Sequence, residues 1–323
     1  MRRVTIVECT NIQHARMDVR RLRRRRRPPG SAPARATPAG ELLEVGDHHG
    51  FDARKRRRKI GTMFTTLLPM AGAAAPSTGQ LFMSEFMGTA VLLLLGGGVV
   101  ATNLLPKSKG KGGGWLMINM GWGLAVFAGV YVAYLSGGHL NPAVTIAKAV
   151  GHMFDPAVEL APGVAVTAVN IAVYIIAQFV GAFVGAVLVW LSFKRHFDEQ
   201  CEPAFKLGVF STGPEIRSYG WNCVTEAIGT AVLIIWIYVS GYTTTAIGPL
   251  GVALIIVVIG NSLGGPTGYA INPARDLGPR VAHAILPIKG KGGSDWAYSW
   301  VPVVGPIVGA IIATVIVFAS GLA

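Results

Sequence analysis

The tripeptide Asn-Pro-Ala occurs twice in the chain, as Asn141-Pro142-Ala143 and as Asn272-Pro273-Ala274, and each copy ends a long apolar run. In each copy, Asn occupies the position of a helix N-cap and Pro the first helical position, where its missing N–H costs nothing. Each copy is therefore predicted to begin a helix. Both helices are predicted to be short, because Gly151 ends the first and Gly278-Pro279 interrupts or strains the second. Helices this short cannot cross a membrane, since a crossing needs about 20 residues.

The composition excludes a soluble enzyme of this length. Of the 323 residues, 51% are hydrophobic and only 14% are charged, and the mean hydropathy is +0.49. We therefore predict an all-α membrane protein with six transmembrane helices and two re-entrant half-helices. The histidines are too dispersed for a metal site, so no metal and no cofactor are expected. The predicted full spans lie near Leu81–Thr102, Trp115–Ser136, Val164–Phe193, Trp221–Gly241, Ala246–Gly264 and Ser299–Gly321.

The first 62 residues differ from the rest, because they hold most of the excess positive charge, including Arg23 to Arg27. They have no apolar run that could act as a signal sequence, so residues 1–62 are predicted to be a disordered basic leader, followed by a tail over 63–79. Such a leader could bind anionic lipid or nucleic acid. The interpretation we favour is a misassigned start, with Met63 or Met70 as the initiator and no nucleic acid as a partner.

The chain also contains a longer internal repeat. Ser84–Leu92 returns as Thr225–Leu233, and Gly181–Ala186 returns as Gly305–Ala310, in the same order as the two Asn-Pro-Ala copies. Each repeat, over residues 80–195 and 219–321, then holds three full spans with a half-span after the second. An odd number of crossings inverts the second repeat relative to the first. Half-helices of about 9 residues, or about 14 Å, would enter from opposite faces and meet near the midplane.

Non-helical backbone at that depth is tolerated only where it is buried in protein or lines a watery cavity. The segments before the two Asn-Pro-Ala copies are therefore predicted to line a pore. Two acidic residues in the spans, Glu85 and Glu226, are interpreted as structural acids that accept hydrogen bonds from these segments, with a proton path as the alternative. The carbonyl groups predicted to face the pore belong to Gly137, Gly138, His139, Leu140, Gly268, Ala270 and Ile271.

His139 has two interpretations. Its backbone carbonyl can face the pore while its ring packs or forms hydrogen bonds, or the ring can act as a pH-dependent gate. We favour the first, because it is a lone histidine.

Residues 80–321 resemble the aquaporin superfamily of major intrinsic proteins, and in particular its glycerol-facilitator branch. Asp276 directly after Arg275 is typical of that branch, as are Arg280 and the Pro302-Val303 pair. The resemblance implies a right-handed helical bundle in a channel domain over residues 80–323, with Asp276 as a buried structural acid. It implies a homotetramer with one pore per subunit in the plasma membrane, crossing the lipid bilayer several times. The implied activity is passive conduction of glycerol, water and other small neutral solutes, and no enzyme activity.

The resemblance also implies a selectivity constriction formed by Trp122, Gly260, Tyr269 and Arg275. Trp122 lies 19 residues before Asn141, about one fewer than the family spacing, so Trp115 is the alternative, although it fits an interfacial anchor better. Tyr269 replaces the Phe of some relatives and adds a hydroxyl to the pore.

The two Asn side chains can cap their helices with the amide oxygen and direct the NH₂ donors into the lumen. Two helix N-termini that face each other oppose cations and orient single-file water against proton hopping. A water-selective aquaporin and a secondary transporter are the rival functions.

The N-terminus of the native protein distinguishes a misassigned start from a basic leader. In a bacterial gene, Arg57-Arg58-Lys59 can be encoded by AGG AGG AAA, which resembles a ribosome-binding sequence just upstream of Met63. We expect the purified native protein to begin at Met63 or Met70, as read by mass spectrometry of its N-terminal peptide. Detection of the tryptic peptide over residues 36–54 would show that translation starts earlier.

Overall fold

The computed structural model of the chain describes residues 75–242 and 247–322. The predictions for the leader over 1–62, and for residues 63–74 of the tail, lie outside the described residues. The α-helices of the described part are α1 (Thr78–Leu104), α2 (Gly114–Val132), α3 (Pro142–Phe154), α4 (Ala168–Ser192), α5 (Lys194–Asp198), α6 (Pro203–Gly208), α7 (Tyr219–Val239), α8 (Pro249–Leu263), α9 (Pro273–Ile285) and α10 (Val301–Ala319).

Among the described helices, five are long and apolar enough to cross a membrane, namely α1, α2, α4, α10, and α7 with the 3-10 turn that extends it to Tyr242. Their ends follow from local chemistry. Ser77 caps α1 by accepting from Gln80 N, and the Gln80 side chain accepts in turn from Ser77 N. Thr167 caps α4 by accepting from Asn170 N. Each cap satisfies backbone N–H groups that the first turn of a helix leaves free.

Two predicted spans differ from the structure. The span predicted over Ala246–Gly264 starts outside the described residues, and its described part forms a helix of only 15 residues, α8. Gly248 has a φ of 51° and Pro249 stands at the first helical position, where the helix begins. The span predicted from Val164 begins instead at Ala168, in α4. Val164 is held in a tight turn, where its carbonyl accepts from Leu160 N at 3.0 Å.

The prediction that Gly151 ends the first half-helix is wrong, and Gly278-Pro279 does not interrupt the second. Gly151 lies within α3, and Pro279 lies within α9, and each helix has 13 residues. Gly151 makes room for α7, because an added Cβ would come 2.4 Å from the Tyr238 hydroxyl. Each half-helix is therefore about 20 Å long, and two of them end to end exceed the hydrocarbon thickness of about 30 Å.

The helices pack in reciprocal pairs. Helix α1 packs on α4 as α7 packs on α10, and α2 packs on α8. Each half-helix packs on the last long helix of the other repeat, α3 on α10 and α9 on α4. Each contact in one repeat has a matching contact in the other. Each repeat therefore covers the half-helix of the other.

Glycines set the distance between the packed pairs. An added Cβ at Gly185 of α4 would lie 2.5 Å from Ala90 O of α1, and one at Gly309 of α10 would lie 2.1 Å from Ala227 O of α7. Small residues spaced by four let membrane helices approach at backbone distance. The repeated glycines of the sequence are thus the contact residues of the two matching helix pairs.

Replacing one of these glycines tests this packing. Gly309→Ala should lower the free energy of unfolding by about 1–3 kcal/mol, because the methyl group forces α10 away from α7. Thermal unfolding of the detergent-solubilised protein measures the effect. Gly98→Ala in α1 is the matched control, since no atom lies within 4 Å of its added Cβ and alanine favours a helix. Equal melting temperatures for the two variants would contradict the assignment.

Candidate functional site

Two irregular segments precede the half-helices, and their backbone is unusual. Gly137, Gly138 and Gly268 have positive φ angles, which glycine adopts without strain. Leu140 and Ile271, the residues directly before the two Asn caps, also have positive φ, at 53° and 42°. A side chain in that region costs about 1–3 kcal/mol, so the surrounding contacts must hold both residues in place.

Glu85 holds the first segment. Its carboxylate accepts from His139 N at 2.9 Å and from Leu140 N at 2.7 Å, and the side chain is fully buried in α1. Ser136 Oγ and Gln178 Nε2 donate to the same carboxylate at 2.6 and 2.7 Å. Four donors thus surround one buried carboxylate. It satisfies two backbone N–H groups of the segment, so the carbonyl groups of the segment can point away from Glu85.

Glu226 of α7 makes the matching contacts in the second repeat. It accepts from Ala270 N at 3.0 Å and from Ile271 N at 2.8 Å, and it is 1% exposed. The two segments are therefore built by the same device, a buried carboxylate on the first helix of each repeat.

The two Asn side chains join the repeats to each other. Asn141 Oδ1 accepts from Ala143 N at 2.9 Å, which caps α3, while its Nδ2 donates across to Ile271 O at 2.9 Å. Asn272 caps α9 in the same way and donates to Leu140 O at 2.8 Å. Each NH₂ group carries two hydrogens, so one N–H of each Asn stays available beside the cross-link.

His139 is fixed on both sides of its ring. Nε2 lies 2.8 Å from Leu160 O and Nδ1 lies 3.0 Å from Thr145 Oγ1, with the Tyr174 ring at a centroid distance of 4.9 Å. A carbonyl only accepts, so the neutral ring carries its proton on Nε2. This arrangement favours the packed interpretation of His139 over a mobile gate.

Arg275, at the start of α9, stacks on Trp122 of α2. The guanidinium carbon lies 3.9 Å from the centroid of the indole ring, and both side chains are buried. The indole itself lies against α1 at Gly96, where an added Cβ would come 2.2 Å from the ring. Stacking on an aromatic face stabilises a cation and fixes its plane. Within the described part of the chain, Arg275 Nη1 has no hydrogen-bond partner.

The ring of Tyr269 packs against Gly260 of α8. An added Cβ at Gly260 would lie 2.7 Å from Tyr269 Cζ and 2.7 Å from Asn119 Oδ1, so glycine is needed for both contacts. Trp115 belongs to the same cluster, since its Nε1 donates to Gly260 O at 3.1 Å and its ring meets Tyr269 edge-to-face at 5.8 Å. The structure thus places Trp122 beside Arg275 and Trp115 beside Tyr269.

Asp276, which directly follows Arg275, forms a buried ion pair with Arg280 one turn further along α9. Arg280 donates from Nε to Asp276 Oδ1 at 2.9 Å, and Asp276 Oδ2 accepts from both Thr212 N and Thr212 Oγ1 at 2.7 Å. Arg280 also donates to Ser294 O and Thr212 O, each at 2.9 Å. Neither charged side chain is exposed, and the network ties α9 to the loop after α6 and to the loop that follows α9.

Sequence reasoning missed several of these partners, namely Asn119, Ser136, Gln178 and Thr212. Asn119 and Gln178 did carry a signal, because each is a polar residue within an apolar span. Ser136 ends a 3-10 turn and Thr212 stands in a loop, and a hydroxyl residue is ordinary at either place and predicts nothing.

The family model for major intrinsic proteins matches residues 73–317, which is most of the chain. The chain belongs to the major intrinsic protein family. Among the relatives, a probable glycerol uptake facilitator protein of Thermotoga maritima is 52% identical over 236 residues, covering 72% of this chain and 96% of its own length. The glycerol uptake facilitator protein of Streptococcus pneumoniae strain R6 is 50% identical over 240 residues, covering 73% and 97%.

A solved structure of the major intrinsic protein fold is also similar. The X-ray structure of the aquaglyceroporin from Plasmodium falciparum matches with a TM-score of 0.62 and 32% sequence identity, over 75% of this chain and 96% of that one. The all-α membrane fold predicted from the sequence is therefore confirmed.

The buried ion pair gives a stability prediction. Asp276→Asn should lower the free energy of unfolding by about 3–5 kcal/mol, because it leaves the Arg280 guanidinium buried without a counter-charge. The measurement is thermal unfolding in detergent.

The control is Asp198→Asn, which removes a surface ion pair. Lys194 donates to Asp198 at 2.5 Å and lowers the pKa of that carboxyl, but water screens the pair. Its melting temperature should stay at the wild-type value. A similar loss in both variants would refute a special role for the buried pair.

Proposed function

We propose that the protein is a passive channel for glycerol and other small neutral solutes, which also conducts water and excludes protons and other ions. The observation that carries this proposal is the cluster in which Arg275 stacks on Trp122 while Tyr269 leans on Gly260. The names of the relatives, glycerol uptake facilitator proteins, support the same solute.

The cluster fits a linear polyol, which has a hydroxyl edge and a C–H edge. The Arg275 guanidinium carries N–H groups that can donate to solute hydroxyl groups, and backbone carbonyls of the two irregular segments can accept from them. The rings of Trp122 and Tyr269 offer apolar surface to the C–H edge. Gly260 supplies the width, because Tyr269 rests in the space that any other side chain at this position would take.

Exclusion of protons and cations follows from the two half-helix N-termini that Asn141 and Asn272 cap. The N-termini of α3 and α9 each carry about half a positive charge, and the Asn141 and Asn272 side chains that cap them are joined across the two repeats. The remaining N–H of each Asn can donate to a water oxygen, which turns the water hydrogens away from the centre in both directions. A file of water so oriented does not pass protons, and the positive ends of the helices repel cations.

Localisation and assembly complete the proposal. We place the protein in the plasma membrane as a multi-pass homotetramer with one pore in each subunit, and we assign it no enzyme activity. Large apolar side chains stay exposed along the long helices, among them Leu124, Ile176, Ile228 and Ile312, and these suit contact with lipid or with other subunits.

Solute entry into proteoliposomes tests the function. Stopped-flow light scattering should show glycerol entry whose rate rises linearly with the glycerol gradient and needs no ion gradient. Saturable entry driven by protons or sodium would favour a secondary transporter. Water entry without glycerol entry would favour a water-selective aquaporin, against which Gly260 argues.

The width of the constriction gives a further prediction. Gly260→Ala should lower glycerol permeability more than water permeability, because the added Cβ lies 2.7 Å from Tyr269 Cζ and pushes the ring towards the lumen. The same stopped-flow assay measures both rates. Gly265→Ala is the matched control, since no atom lies within 4 Å of its added Cβ, and its ratio of glycerol to water permeability should equal that of the wild type. An unchanged ratio in Gly260→Ala would remove Gly260 from the constriction.

A further inference from the structure

Thr212 stands in the loop between α6 and α7, and it is buried, with an exposed fraction of 7%. Its backbone N and its Oγ1 both donate to Asp276 Oδ2 at 2.7 Å, and its carbonyl accepts from Arg280 Nη2 at 2.9 Å. The N–H, the hydroxyl and the carbonyl of one loop residue thus all bond to the buried ion pair of α9. These bonds fix α9 against the loop.

Thr212 also lies against the backbone of Gly268. An added Cβ at Gly268, which has a φ of 82°, would stand 3.3 Å from both Cβ and Cγ2 of Thr212. A further bond holds the same loop beside this segment, since Glu215 N donates to Pro266 O at 3.2 Å. The loop therefore packs on the irregular segment that precedes α9 as well as on α9 itself.

Both contacts of Thr212 are with residues next in the chain to members of the proposed constriction. Asp276 directly follows Arg275, and Gly268 directly precedes Tyr269. Successive residues of a helix point about 100° apart, so holding the Asp276 side chain fixes the direction in which Arg275 leaves α9. One loop residue therefore supports the constriction at two places.

The Arg275 guanidinium depends on such indirect support. It lies 3.9 Å from the centroid of the Trp122 ring, and none of the ion pairs among the described residues includes it. Stacking fixes the distance between a guanidinium and a ring, but the two flat groups can still slide past each other. The backbone that carries Arg275 must therefore set where over the ring the cation lies.

We propose that Thr212 is a positioning residue of the channel, which acts through Asp276 to hold Arg275 in place over Trp122 and so keeps the constriction at one width. This inference rests on the proposed function. Without the Thr212 hydroxyl, Asp276 Oδ2 loses one of its two donors from the loop, and the first turn of α9 is held less firmly. Arg275 then occupies a range of positions, and the constriction discriminates less by the size of the solute.

The test compares the entry of glycerol with that of erythritol, a linear polyol with one more carbon, into proteoliposomes of the full chain. Thr212→Val keeps the shape of the side chain and removes the hydroxyl, so the ratio of glycerol to erythritol permeability should fall about two- to tenfold, the worth of one hydrogen bond. Thr212→Ser keeps the hydroxyl and should keep the wild-type ratio. Thr225→Val is the matched control, because that hydroxyl donates to Trp221 O of its own helix, and its ratio should equal that of the wild type.

The melting temperature and the permeability ratio together separate positioning from simple stabilisation. A Thr212→Val chain that melts earlier but keeps the wild-type ratio overturns the proposal, and so does a Thr212→Ser ratio as low as that of Thr212→Val. If the Thr212→Val chain does not assemble, Thr212→Cys decides, because a thiol is a weak donor and its ratio should also fall. Wild-type protein that passes glycerol, with an unaltered ratio in the Thr212 variants, defeats only this inference. Wild-type protein that passes neither solute defeats the proposed function.

Discussion

Non-helical backbone inside a bilayer must find partners for its N–H groups, and in this protein two buried carboxylates supply them. Glu85 and Glu226 each accept from two consecutive backbone N–H groups directly before an Asn cap. These bonds hold Leu140 and Ile271 in their strained backbone conformation. Hydrogen bonds to a charged carboxylate are stronger than those between neutral groups, and this offsets the cost of the strain. Because the N–H groups are taken, the carbonyl groups remain as acceptors, and those of Leu140 and Ile271 accept from Asn272 and Asn141. This division of donors and acceptors is what the proposed channel would present to a solute.

Much of this fold could be predicted from the sequence, because its main signals are local. The N-cap and first-turn proline of each Asn-Pro-Ala copy fixed where α3 and α9 begin, and the repeated glycines marked the close helix pairs. The helix ends were harder. Gly151 reads as a stop signal, yet it is a packing position under Tyr238, and that contact joins residues far apart in the chain. Pro279 likewise lies buried within α9 and does not end it.

The contacts of the site were harder to predict from the sequence than the motifs beside it. The stacking of Arg275 on Trp122 joins residues of α9 and α2, and no spacing rule connects them. Trp115 was interpreted as an interfacial anchor because of its place near a helix end, but it also donates to Gly260 O. Asn119 showed only that a polar residue stood in an apolar span. What such a residue contacts depends on α8, which follows more than a hundred residues later.

The reciprocal bonds of the two Asn side chains have a consequence for assembly. Asn141 donates to Ile271 O and Asn272 donates to Leu140 O, so each repeat completes the centre of the other. When only the first repeat has been synthesised, the chain has a capped half-helix, but the Asn141 amide lacks its acceptor Ile271 O and no channel has formed. Closing the ring between partners about 130 residues apart carries a loop-closure cost that local helices do not have. The junction between the two repeats is thus a late product of synthesis, since it needs residues from both halves of the chain.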